Sequence, residues 1–113
     1  MTRLFVYGTL KRGGRNVHLM SGGECRGVAA TAPRYALVEL VGHPGLVPGD
    51  LAVRGEVWDV PPPTLARLDE FEGVPHPFDR RPVTLADGSA AEAYFWLGEA
   101  GGVRMAVWGE RPV

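Results

Sequence analysis

Apolar residues run through this chain in short stretches, and almost every stretch is cut by glycine or proline. Residues 4–7 (Leu-Phe-Val-Tyr) are apolar without alternation, the pattern of a strand covered on both faces. That run stops at Gly8, and a Gly-containing loop follows over 8–14. Residues 15–20 suit a short helix ended by Ser21-Gly22-Gly23. Small apolar residues over 25–32 predict a strand, with Gly27 as a bend or bulge. Another strand is expected over 35–41, then a Gly42-His43-Pro44-Gly45 turn, Leu46-Val47, and a second turn at Pro48-Gly49-Asp50.

Residues 53–60 alternate, with Val53, Gly55 and Val57 set against Arg54, Glu56 and Trp58, and so predict a half-buried strand. Gly55 in its middle marks either a close approach by a neighbour or ligand, or a plain bulge. Pro61-Pro62-Pro63 opens the one convincing helix, because N–H groups in a first turn lack intrahelical acceptors anyway. The helix is expected from about 64 to 71, with Gly73 as its stop. Asp87-Gly88 then joins strands over 78–85 and 91–97 as a hairpin. Residues 103–108 form a last strand or a tail.

Composition narrows the class. A chain of 113 residues is expected to be one domain, 1–113, able to bury a core without staples. Its 16 glycines and 10 prolines favour many short elements over a few long helices. A net charge of −1, with no interleaving of basic and aromatic residues, gives no reason to expect nucleic-acid or membrane-surface binding. Cys25 is the single cysteine, so no internal disulfide is available and no zinc-ligand spacing exists. It reads as a strand cysteine without chemistry. No apolar run reaches the ~20 residues of a membrane span, and the first residues do not read as a signal peptide, so a cytoplasmic setting is expected. Asn16 reads as a cap or turn residue, His18 as a partly exposed helix residue and His43 as a surface turn residue.

Two features carry candidate chemistry. The loop after residues 4–7 can turn several backbone N–H groups toward one point and hold an anion such as a carboxylate, or be an ordinary turn. At the other end of the candidate list, three acids crowd the helix end: Asp69, Glu70 and Glu72. At ~100° per residue, Leu65 and Leu68 define the core-facing stripe, and Glu72 returns to within ~20° of Leu65. Glu70 points away and Asp69 sits at the edge. Helical geometry leaves two outcomes for Glu72: it is aimed inward, with a raised pKa, or the last turn frays and it is solvated.

Three blocks in order resemble one family. Val6-Tyr7-Gly8-Thr9-Leu10 with Lys11-Arg12-Gly13, then Arg54-Gly55-Glu56-Val57-Trp58, then Leu68-Asp69-Glu70-Phe71-Glu72-Gly73 followed by Arg80, are similar to the γ-glutamylcyclotransferase-like superfamily, and more closely to its γ-glutamylamine cyclotransferase (AIG2-like) branch. The resemblance implies an α+β fold, a small mixed-strand β-barrel flanked by one or two helices. It implies an intramolecular reaction in which the α-amine of a γ-glutamyl group attacks its own γ-amide carbon, releasing 5-oxoproline and a free amine. Glu72 is then the catalytic acid/base, and Tyr7, Gly8, Thr9, Leu10, Gly55 and Arg80 bind the γ-glutamyl substrate; no metal or cofactor is implied. The chain departs from the pattern at Phe78 and Trp96, where relatives often carry tyrosine. The alternative is a non-catalytic module on the same fold that binds an amino acid or carboxylate, for which the hydroxyl missing at Phe78 is the best support. The leaving amine and the oligomeric state are not legible.

Overall fold

The computed structural model describes residues 1–99 and 101–109. Eight strands and one α-helix follow in the order β1 (Thr2–Val6), β2 (Glu24–Ala30), β3 (Tyr35–Glu39), β4 (Pro44–Pro48), β5 (Arg54–Val60), α1 (Pro62–Glu72), β6 (Phe78–Thr84), β7 (Ala90–Trp96) and β8 (Arg104–Met105). A short 3-10 turn, Val17–Met20, lies between β1 and β2. The strands form one curled mixed sheet with β6 on β7 and the remaining strands in the order β2-β5-β1-β7-β4-β3-β8. An isolated bridge between Thr31 and Leu85 brings the end of β2 back toward β6, so the sheet curls toward closure. This is the expected α+β architecture.

The unalternating run in β1 has its predicted environment, since Leu4, Phe5, Val6 and Tyr7 are all buried. Their side chains alternate between two cores. Phe5 and Tyr7 join the cluster inside the curl, with Leu37, Val57 and Phe95. Leu4 and Val6 join a second cluster, with Trp58, Leu68 and Tyr94, where α1 packs.

Two local readings are corrected. The stretch around Leu46-Val47, expected to lie between two turns, is the five-residue strand β4. Its prolines sit at its two ends, paired with Glu39 and Tyr35, where proline is tolerated. The strand β5 is not half-buried. Gly55, Glu56, Val57 and Trp58 are all covered, because β1 and β2 flank β5 while both cores use its faces. Residues 104–105 supply a brief last strand against β3.

The feature that positions the site is a fork at β7. This strand runs parallel to β1 at Leu4–Glu92 and parallel to β4 at Leu46–Phe95. Its partner therefore changes from β1 to β4 near Tyr94. The Tyr7 hydroxyl sits at this change, donating to the Tyr94 carbonyl at 2.6 Å and accepting the Leu46 N–H at 3.3 Å. One phenol thus ties three strands together where the sheet splits.

The helix α1 lies across the second core. Its first turn is proline, as the sequence predicts. The Thr64 hydroxyl donates to the Ser21 carbonyl, and Arg67 donates to the carbonyls of Leu19 and Ser21, so the 3-10 turn holds the helix start. Leu68 is fully buried.

Candidate active site

The last turn of α1 has a defined end. Gly73 takes the left-handed conformation at φ 75°, which costs a glycine nothing. Its N–H donates to the Glu70 carbonyl and the Val74 N–H to the Asp69 carbonyl. These crossed bonds are the glycine-ended helix stop, and Val74 packs into the same cluster as Leu68. The helix consequently persists through Glu72 and does not fray, which resolves the two outcomes left open by the sequence.

Glu72 lines a cavity of about 740 Å³. Tyr7, Gly8, Thr9 and Leu10 line it from the loop after β1. Among the described residues the Glu72 carboxylate has neither a hydrogen bond nor an ion pair. Burial disfavours its charged form and pushes its pKa from the ordinary 4.5 up to about 7.

The loop itself is braced by neighbouring side chains. The Asn16 amide donates to the Thr9 hydroxyl at 3.0 Å, and the Asn16 N–H to the Thr9 carbonyl. Buried Glu56 accepts the Arg12 N–H at 2.9 Å, the Arg12 guanidinium at 3.0 Å and the Trp58 indole N–H at 3.1 Å. Burial by itself would raise the Glu56 pKa, but these donors outweigh it and hold the carboxyl below its ordinary value. Lys11 donates to the Trp108 carbonyl at 2.7 Å. With those contacts made elsewhere, the N–H groups of Gly8, Thr9 and Leu10 form no backbone hydrogen bond among the described residues. All three residues line the cavity.

Gly55 and Arg80 are not among the cavity-lining residues. The close approach signalled by Gly55 is made by the protein: a Cβ there would collide with the Val6 carbonyl and fall 2.8 Å from the Phe5 ring. Arg80 instead grips the helix. It forks onto Asp69 at 2.9 and 3.1 Å and also donates to Glu92 at 2.6 Å. The Tyr94 hydroxyl donates to the same Asp69 at 2.7 Å. Burial works against the Asp69 charge, yet the Arg80 and Tyr94 hydrogen bonds prevail and lower its pKa. Tyr94 thus supplies a hydroxyl at the helix end.

Several lining residues were read as structural from the sequence. Asn16 is the loop brace, and His43 faces the cavity with its ring 6.1 Å from that of Phe78. Tyr94 and Trp96, two apart on β7, share the cavity face. Their period of two was visible, but which face met a cavity depended on the fork. No group of three or more His, Cys, Asp or Glu able to hold a metal occurs among the described residues. No helix among them is long and apolar enough to cross a membrane.

Comparison with known proteins bears on the same residues. The family described as gamma-glutamyl cyclotransferase, AIG2-like, matches residues 4–108. A Vibrio cholerae protein provisionally named as a gamma-glutamylcyclotransferase is 41% identical over 87 residues, covering 77% of this chain and 76% of that one. The gamma-glutamylcyclotransferase family protein YtfP of Escherichia coli is 35% identical over 88 residues, covering 78% and 77%. The solution structure of YtfP from Escherichia coli matches with a TM-score of 0.72 at 31% identity, over 95% of this chain and 96% of that one. A crystal structure of an AIG2-like protein from Mus musculus matches with a TM-score of 0.71 at 29% identity, over 90% and 80%.

Proposed function

The chain belongs to the gamma-glutamyl cyclotransferase, AIG2-like family, and from that premise we propose that it is an enzyme that cyclises the γ-glutamyl group of a γ-glutamyl amide to 5-oxoproline and releases the amine. The observation that carries the reading is Glu72: a carboxyl with no hydrogen-bond or ion-pair partner among the described residues, lining the same cavity as the Gly8–Leu10 loop, with its pKa pushed up to about 7.

In this reading the N–H groups of Gly8, Thr9 and Leu10 hold the glutamyl end of the substrate. That leaves the α-amine and γ-amide carbon beside Glu72. The α-ammonium cannot attack until it loses a proton, and the Glu72 carboxylate accepts it. The nitrogen then bonds to the γ-carbon, giving a tetrahedral centre. Two protons leave the original ammonium, and both end on the departing nitrogen, delivered in turn by Glu72. The C–N bond breaks and the amine departs as ammonium. A group titrating near 7 populates both its forms at neutral pH, as this shuttling requires. Ring closure is intramolecular, so the cavity contributes mainly by holding the folded substrate conformer. Arg80 and Asp69 serve as positioning residues, fixing the turn from which Glu72 projects.

The test is 5-oxoproline release from a set of γ-glutamyl amides by the wild type and by Glu72→Gln. Release that depends on Glu72 supports the reading. Equal release by the variant removes Glu72 from the chemistry, and none by the wild type removes the reaction.

A further inference from the structure

The cavity lining is chemically mixed. Glu72 and the Gly8–Leu10 loop meet an apolar wall of Leu40, Val41, Pro44, Phe71, Phe78 and Trp96, with Pro44 packed against Gly8. Three polar groups on and near this wall are already engaged by the protein. The Trp96 indole donates to the Glu99 carbonyl at 2.9 Å, the Tyr94 hydroxyl to Asp69 and the Tyr7 hydroxyl to the Tyr94 carbonyl. Apart from the His43 imidazole beside Phe78, what the wall presents is therefore ring faces and aliphatic carbon. The Phe78 and Trp96 rings stand 5.2 Å apart at 59°, leaving a tilted aromatic corner. The apolar character continues outward, for Val41 is 97% exposed and Phe71 is 49% exposed on the rim.

Charge points the same way. Glu72 is the sole carboxylate among the lining residues, and Arg15 is a cation among them, donating to the Gly42 carbonyl at 2.6 Å. A leaving amine with a second ammonium group would find no acid to pair with except Glu72, which the proposed reaction engages.

We infer that the apolar wall is the leaving-amine subsite, and that it selects γ-glutamyl amides of apolar, especially aromatic, monoamines over those of diamines. This rests on the proposed reaction. The glutamyl part sits against the Gly8–Leu10 amides, and the amide substituent extends past Glu72 onto the Phe78–Trp96 corner. Burying an uncharged ring there removes apolar surface from water on both partners. Burying a second ammonium strips its hydration without supplying a counter-charge.

The test compares kcat/KM for 5-oxoproline release from three synthetic amides of γ-glutamate: the methylamide, the benzylamide and the mono-amide of 1,4-diaminobutane. The benzylamide is expected to exceed the diaminobutane amide by about tenfold or more, a ratio within reach of one apolar pocket. Trp96→Ala is expected to reduce that ratio by about tenfold through loss of the ring contact. Val41→Asp changes a side chain that stands in solvent, so folding does not depend on it, and the new charge at the rim is expected to reduce the ratio about threefold. Turnover of the methylamide with the diaminobutane amide equal to or better than the benzylamide overturns the inference and leaves the reaction standing. An unchanged ratio in both variants also overturns it. No release from any of the three overturns the proposed reaction, and the inference falls with it.

Discussion

Asp69 and Glu72 stand three residues apart on one helix, and their surroundings are opposite. On the clamped side, Asp69 accepts a guanidinium fork from Arg80 and a hydroxyl from Tyr94, and its pKa is lowered. On the cavity side, Glu72 accepts nothing from the described residues and its pKa rises to about 7. The Glu72 carboxyl is the more deeply buried of the two, and it also lacks the donors that Asp69 has, so burial and partners act together to separate them. A buried acid with donors is held charged and becomes structural, whereas one without donors is left to exchange protons near neutral pH. The same helix end supplies both, because the Gly73 stop keeps the last turn wound while Asp69 is tied to the sheet.

The largest expected effect of breaking this comparison is on turnover. Glu72→Gln should cost about 10³-fold in kcat, the scale of a lost general acid/base, while the far-ultraviolet circular dichroism stays that of the wild type. Cutting the clamp should instead act on stability. Asp69→Asn or Arg80→Met is expected to lower unfolding free energy by about 2 kcal/mol in denaturant titrations, since hydrogen bonds to charged groups are lost. That loss should shrink in acid. The Asp69 contribution is present above its unfolded value of 3.8 and fades as pH falls through its lowered folded value.

Glu72 gives the reverse linkage. Its folded pKa of about 7 lies above the ordinary 4.5, so between these values the folded state binds more proton than the unfolded state. Stability therefore falls as pH rises through that window, and the decrement is complete above about pH 7. Glu72→Gln should then be more stable than the wild type by about 2–3 kcal/mol at pH 8, and no different near pH 4, in thermal or denaturant unfolding. A dead but more stable variant would separate the two carboxyls sharply. The smallest effect is expected away from the helix. Glu56→Gln weakens the brace on the loop through Arg12, and should raise KM severalfold while changing kcat little, at a stability cost of about 1 kcal/mol.

Much of this contrast was legible in the chain. The run at 4–7 and the helix with its proline start and Gly73 stop follow from local rules of period and capping, whereas the direction of Glu72 stayed open until the wound last turn was seen. The loop at Gly8–Leu10 was legible as a Gly-containing loop ending the first strand. Long-range pairing was not. The strand β4 was hidden because prolines at both of its ends read as turns, and the alternation of β5 could not reveal that a second core covers its other face. Arg80 and Gly55 carried true signals with different partners, Asp69 and the backbone of β1. The aromatic wall joins the β3–β4 turn, the end of α1 and β7, elements that meet only because β7 changes partners near Tyr94. No local pattern encodes that change.

The most direct test is titration of the side-chain carboxyl carbons by nuclear magnetic resonance, with Glu72 assigned by comparison with Glu72→Gln. The account predicts a Glu72 midpoint of about 7, with the Asp69 midpoint below 3.8 in the same sample. A Glu72 midpoint near the ordinary 4.5 would contradict it, since the carboxyl would then be solvated or paired and the distinction between the two acids would vanish.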